Sequence, residues 1–183
     1  MAEEENSGST LKENIITIVL AVFIALIIRS FWLEPFRIPS GSMYPTLQVG
    51  DYLFVSKYSY GYSRYSFPAG LPLFDGRFFY SEPKRGDIVV FKFPKNTNTD
   101  FIKRVIGLPG DRVQVKEGRL YINGEMVERD EKERYIIDEY VSVPEFYHQY
   151  EETLPNGKIH RIIEMSDEER VVDDTEEFVV PED

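Results

Sequence analysis

The chain contains no cysteine, so it has neither a disulfide framework nor a thiolate nucleophile. Histidine is almost as scarce: only His148 and His160 occur among 183 residues. Their spacing fits no zinc pattern, and a Ser-His-Asp triad would have to recruit one of them from weakly patterned acidic sequence. Both are expected to lie at the surface. There is no Gly-rich phosphate loop ending in Lys-Ser or Lys-Thr, and no dinucleotide fingerprint. No metal or organic cofactor is indicated. Positive charge is short in the second part of the chain, where residues 125–183 hold 20 Asp and Glu against 6 Lys and Arg. Phosphate binding needs clustered Lys and Arg, so nucleic acid is not an expected partner.

One long hydrophobic run is present. Ile15 to Ile28 is apolar except for Thr17, and Phe31-Trp32-Leu33 continues it past Arg29 and Ser30. Residues 15–33 approach the ~20 needed to cross a bilayer as a helix. Arg29 and Trp32 suit the headgroup interface. A cleaved leader is the rival reading. It is disfavoured by Glu3-Glu4-Glu5 ahead of the run and by the lack of a small-x-small site after it. The expected organisation is a polar tail over 1–14, a membrane anchor over 15–33 with the lipid bilayer as partner, and a domain over 34–183. Lys12 before the run and Arg29 and Arg37 after it leave the orientation open on charge alone.

That domain reads as mostly β, since Phe, Tyr, Val and Ile are abundant and short apolar runs alternate with turn signals. Strands are expected at 52–55, 87–93, 101–106, 112–116 and 120–122. Glu117-Gly118 and Asn123-Gly124 look like hairpin turns, giving a meander rather than βαβ units. Residues 56–85 read as an irregular excursion. From about 125 to 177 the pattern weakens into an acidic insertion, with one or two strands within 135–150, a turn at Asn156-Gly157, and a solvated stretch at 166–169. Phe178-Val179-Val180 starts another strand.

Two features carry chemistry. Pro39-Ser40-Gly41-Ser42-Met43-Tyr44-Pro45 is a constrained turn soon after the anchor. The prolines fix φ, and Gly41 is expected to supply backbone angles that a side chain forbids. Such a turn can hold a nucleophilic hydroxyl in place. Ser42 is nine residues past Leu33, so an extended chain carries it at most ~30 Å from the anchor. Without a usable histidine, the base for Ser42 is expected to be lysine, which acts only when neutral and therefore only in apolar surroundings. Lys92 and Lys103 both sit within hydrophobic strands. Alternation puts Lys103 on the face of Phe101 and Val105, which favours it mildly.

The stretches Phe36–Leu47, Arg85–Phe91 and Phe101–Asp111, following a membrane anchor, resemble those of bacterial type I signal peptidase. The resemblance implies a coiled, barrel-like antiparallel β domain on the outer face of the inner (cytoplasmic) membrane. It would remove signal peptides from exported preproteins, cutting after Ala-x-Ala-type sites, with the protein-export machinery as a further partner. It assigns Ser42 as nucleophile, Lys103 as general base, and the Ser40 hydroxyl with the Ser42 amide as oxyanion hole. Phe36, Ile38, Pro39, Met43, Phe101 and Ile102 would lie near the substrate pockets. The family also has a later block, Gly-Asp-Asn-Arg and Ser-x-Asp-Ser-Arg, which supplies a serine that orients the lysine. Residues 34–183 are therefore expected to be a C-terminally incomplete version of the domain. Two alternatives remain: a non-catalytic anchored domain or inactive fragment that binds signal peptides or partners, and a self-cleaving Ser-Lys repressor-type peptidase. The anchor disfavours the second.

Overall fold

The computed structural model describes residues 3–67, 70, 74–137, 145–164 and 173–182. They form one long helix and a series of antiparallel ladders, and the chain is mostly β. The acidic stretch 166–169 lies outside the described residues. Two units result, the first from Met1–Arg37 and Tyr52–Glu82, the second from Ile38–Asp51 and Pro83–Asp183.

In the first unit, α1 (Glu3–Phe31) is helical from near the start, so the residues read as a polar tail join the helix from Glu3 onward. Its 22-residue segment Thr10–Phe31 is long and apolar enough to cross a membrane. At ~1.5 Å per residue that segment spans about 33 Å. Its apolar side chains are unsheltered by the rest of the chain, with Leu11 and Ile18 each 63% exposed. The helix stops earlier than Leu33, because Pro35 pushes Glu34 towards extended geometry. β1 (Leu33–Arg37) begins there and pairs with β2 (Tyr52–Ser56), Phe36 lying opposite Leu53. Glu34 receives Arg29 at 3.0 Å and Lys57 at 2.8 Å, tying the helix end to the ribbon. The stretch read as an irregular excursion contains the short strands β3 (Tyr62–Ser63) and β4 (Arg77–Phe78), paired with each other.

The second unit carries β5 (Ile88–Phe93) and β6 (Asn96–Arg104), a two-stranded ribbon with Val89 opposite Lys103. β7 (Arg112–Lys116), β8 (Arg119–Ile122) and β9 (Glu125–Met126) form the expected meander, with β13 (Phe178–Val179) added beside β7. Both hairpin turns have left-handed pairs: Glu117 and Gly118 at φ 49° and 69°, Asn123 and Gly124 at 56° and 84°. That geometry matches the twist of the flanking strands. The acidic region folds into a sheet of β10 (Glu128–Ile137), β11 (Glu145–Thr153) and β12 (Ile159–Glu164). Ile122, Val127 and Leu154 are nearly sealed and pack with Ile106 and Leu120, joining the meander, the acidic sheet and the end of β6 in one core.

The two histidines separate. His148 is half-buried, its Nδ1 3.1 Å from Glu131. His160 corrects the surface expectation: it is 8% exposed, with Nε2 3.2 Å from Glu152. The register sets His160 opposite Glu152, and a carboxylate partner makes burial of an imidazole tolerable.

Candidate active site

The Ser42 turn is closed at its base by two backbone bonds. The Ile38 amide donates to the Asp51 carbonyl and the Gly50 amide to the Ile38 carbonyl, both at 2.9 Å. Within it, the Tyr44 amide donates to the Gly41 carbonyl at 2.9 Å and the Leu47 amide to the Met43 carbonyl at 3.0 Å. Gly41 is not in the left-handed region, contrary to the expectation from sequence. Its bareness serves packing instead: a Cβ there would lie 2.3 Å from Tyr44 Cε2. The tyrosine ring occupies the space a side chain would need.

Ser42 is exposed and Met43, at 7% exposure, is buried, so the turn anchors itself by one residue and presents the next. From β6, Lys103 Nζ hydrogen-bonds Ser42 Oγ, across 61 positions of sequence. The Phe101 ring centroid is 5.8 Å from Lys103 Nζ. Phe101 in turn stacks on Phe93 at 4.6 Å. The rival Lys92 is bound elsewhere, 2.8 Å from Asp100. Of the two lysines the sequence left open, Lys103 reaches the serine.

The remaining nominated residues fall into distinct settings. Ile38 and Ile102, at 1% and 6% exposure, are buried. Ser40 and Pro39 are exposed on the turn, and Phe101 is half-buried. Phe36 lies in β1 of the first unit.

Sequence reasoning missed the supports of this pair. Arg104, next to Lys103, donates to the Gly86 carbonyl at 2.9 Å and to Thr46 Oγ1 at 3.3 Å, so β6 holds the turn at Thr46 as well as at Ser42. Arg85 donates to the Ile106 carbonyl at 2.5 Å and pairs with Asp111 at 2.9 Å. Burial raises the pKa of the Asp111 carboxyl, but the Leu108 amide, Asn123 and Arg85 outweigh it and hold the group below its usual range. These bonds fix the turn that ends β6. A buried acid closing Gly107-Leu108-Pro109-Gly110-Asp111 was the one available signal, and nothing in the spacing named Arg85 as its partner.

A serine hydroxyl on a rigid exposed turn, in contact with a lysine amine against aromatic rings, can perform acyl transfer without histidine or metal. A family model described as signal peptidase, peptidase S26, matches residues 11–181. The chain belongs to the signal peptidase S26 family. It is 45% identical to signal peptidase I of Rickettsia felis over 159 residues, covering 86% of this chain and 58% of that protein. Signal peptidase I of Rickettsia canadensis is 42% identical over 184 residues, covering 97% of this chain and 68% of that one. The chain thus spans 58% and 68% of the length of these two curated relatives.

Proposed function

We propose that this chain is the membrane-anchored serine endopeptidase part of a type I signal peptidase, which removes N-terminal signal peptides from exported preproteins. The observation that carries the reading is the Ser42–Lys103 contact. Family membership and an N-terminal helix able to span a membrane support it.

With Lys103 neutral, the Ser42 hydroxyl donates to Nζ. As Oγ attacks the scissile carbonyl carbon, its proton passes to Nζ and the carbonyl oxygen takes up negative charge. The Ser42 amide and the Ser40 hydroxyl are the donors proposed to stabilise that oxyanion. Collapse breaks the C–N bond, and the leaving amine takes the proton from Lys103. The signal peptide is left as an ester on Ser42. Water then attacks the ester, Lys103 again accepting a proton, and Oγ recovers its hydrogen as the carboxylic acid departs.

Ile38, Pro39, Met43, Phe101 and Ile102 are the proposed walls of pockets for small side chains, giving Ala-x-Ala preference. The catalytic domain is proposed to face outward from the inner membrane, with the export machinery nearby. Tethering enzyme and substrate to one bilayer raises their effective concentration.

The test is cleavage of a preprotein with an Ala-x-Ala site in detergent micelles, by the parent chain and by Ser42→Ala. Cutting after the second alanine by the parent alone is the expected result. Equal cutting by Ser42→Ala removes Ser42 as nucleophile, and no cutting by the parent removes the peptidase reading for this chain.

A further inference from the structure

The acidic sheet contributes neither member of the dyad, yet one of its side chains meets the serine turn twice. The Tyr135 ring in β10 lies 6.0 Å from the Tyr44 ring at a tilt of 45°. Its hydroxyl accepts a hydrogen bond from Gln48 Nε2 at 3.2 Å. Tyr44 is two residues beyond Ser42 and fills the space over Gly41. Gln48 lies towards the far end of the same turn, where its amide donates to Asp51 Oδ2 at 2.8 Å. Tyr135 therefore bears on both halves of the loop that carries the nucleophile.

The strand register explains how this side chain arrives there. Lys132 lies opposite Gln149, but Tyr135 lies opposite Tyr147, so β10 holds one extra residue between them. In an unbroken ladder Arg134 would face Tyr147, and Tyr135 would turn to the other face of the sheet. The bulge brings a rigid aromatic to the serine turn.

We infer that Tyr135 is a positioning residue for Ser42, with the acidic sheet bracing the turn in addition to the grip of Lys103 and Arg104. The inference rests on the peptidase reading for its catalytic consequence. A turn held only by β6 can rock about those contacts, and small errors in nucleophile placement are expensive in rate.

The test combines hydrogen exchange with cleavage kinetics on the full chain and its Tyr135→Ala, Tyr135→Phe and Gln48→Ala variants. In Tyr135→Ala, the amides of Tyr44, Leu47 and Val49 should exchange ~10-fold faster, while those of β5 and β6 keep the parent rate. Its kcat should fall ~10- to 100-fold with KM within ~3-fold, and Tyr135→Phe, which keeps the ring, should recover most of the loss. Parent-like exchange of the turn in a folded Tyr135→Ala would overturn the proposal. So would a loss confined to KM, or faster exchange spread through β5 and β6. If Tyr135→Ala does not fold, the milder pair decides. Tyr135→Phe and Gln48→Ala together should accelerate turn exchange no more than either alone, and additive effects would overturn the proposal. A parent chain that does not cleave sinks the peptidase reading, and the exchange measurements then decide the brace alone.

Discussion

Arg85 and Asp111 lie 26 residues apart in sequence and meet as an ion pair of 2.9 Å, each side chain only 11% exposed. Arg85 also holds the Ile106 carbonyl, and the Asp111 carboxylate takes the Leu108 amide at 2.5 Å and Asn123 at 2.8 Å. This pair fixes the backbone three residues beyond Lys103.

Asp111→Ala leaves the Arg85 guanidinium buried without its carboxylate, and removing one partner of a buried pair costs about 3–5 kcal/mol. Urea unfolding should show a loss of that size. Lys158→Ala provides the contrast. Its pair with Asp87 is at 3.1 Å but the lysine side chain is 44% exposed. An exposed pair of this kind contributes less than about 1 kcal/mol. Equal losses in the two variants would contradict this assignment.

The same carboxylate makes stability depend on pH in a fixed direction. Its folded pKa lies below the unfolded one, so the unfolded chain binds the proton more readily. The contribution is complete above the unfolded carboxylate value of about 4 and is lost as pH falls through the lower folded value. The stability gap between the parent and Asp111→Ala should therefore be widest near neutrality and narrow in acid. A gap constant from neutral to acid pH would show that its source is not the ionised carboxylate.

Gly41→Ala tests whether the glycine is there for space. The added methyl would lie 2.3 Å from Tyr44 Cε2, so the ring must move. Overpacking of this kind costs about 1–3 kcal/mol. Cleavage should fall together with the denaturation midpoint. Parent behaviour in both assays would return Gly41 to an ordinary turn role.

Lys103→Arg keeps the positive charge and much of the length, but arginine does not lose its proton in proteins. Cleavage should be abolished as completely as in Lys103→Ala, with both variants folded by circular dichroism. Appreciable turnover by the arginine variant would remove the lysine-base mechanism.

Patterns carried within a few residues were legible in the sequence. The apolar run of α1, β5, the later part of β6 and the hairpin turns at Glu117-Gly118 and Asn123-Gly124 follow from local composition. β6 itself runs from Asn96 to Arg104 rather than over the expected 101–106. The serine turn and the two lysines in apolar strands, Lys92 and Lys103, are legible on chemical grounds, and the choice of Ser42 with Lys103 rests on the family resemblance. Contacts that depend on register were not legible. One extra residue in β10 decides which side chain faces the serine turn, and no composition signal marks it. His160 looked like a surface residue because its neighbours are acidic, yet the β11–β12 register turns one of those acids, Glu152, into its buried partner. Backbone freedom is the commoner use of glycine and is what the turn at Gly41 suggests, whereas the ring of Tyr44 supplies the actual reason.

The hydrogen bond between Ser42 and Lys103 closes a loop of 61 positions. Among the described residues, the hydrogen-bond partner that each offers the other is remote in sequence. In an unfolded copy they are an ordinary alcohol and an ordinary solvated amine. Under the proposed function, activity waits for folding. A freshly made copy, surrounded at the membrane by other unfolded chains, is inert towards them until its own strands have paired, and reactivity arrives together with native structure.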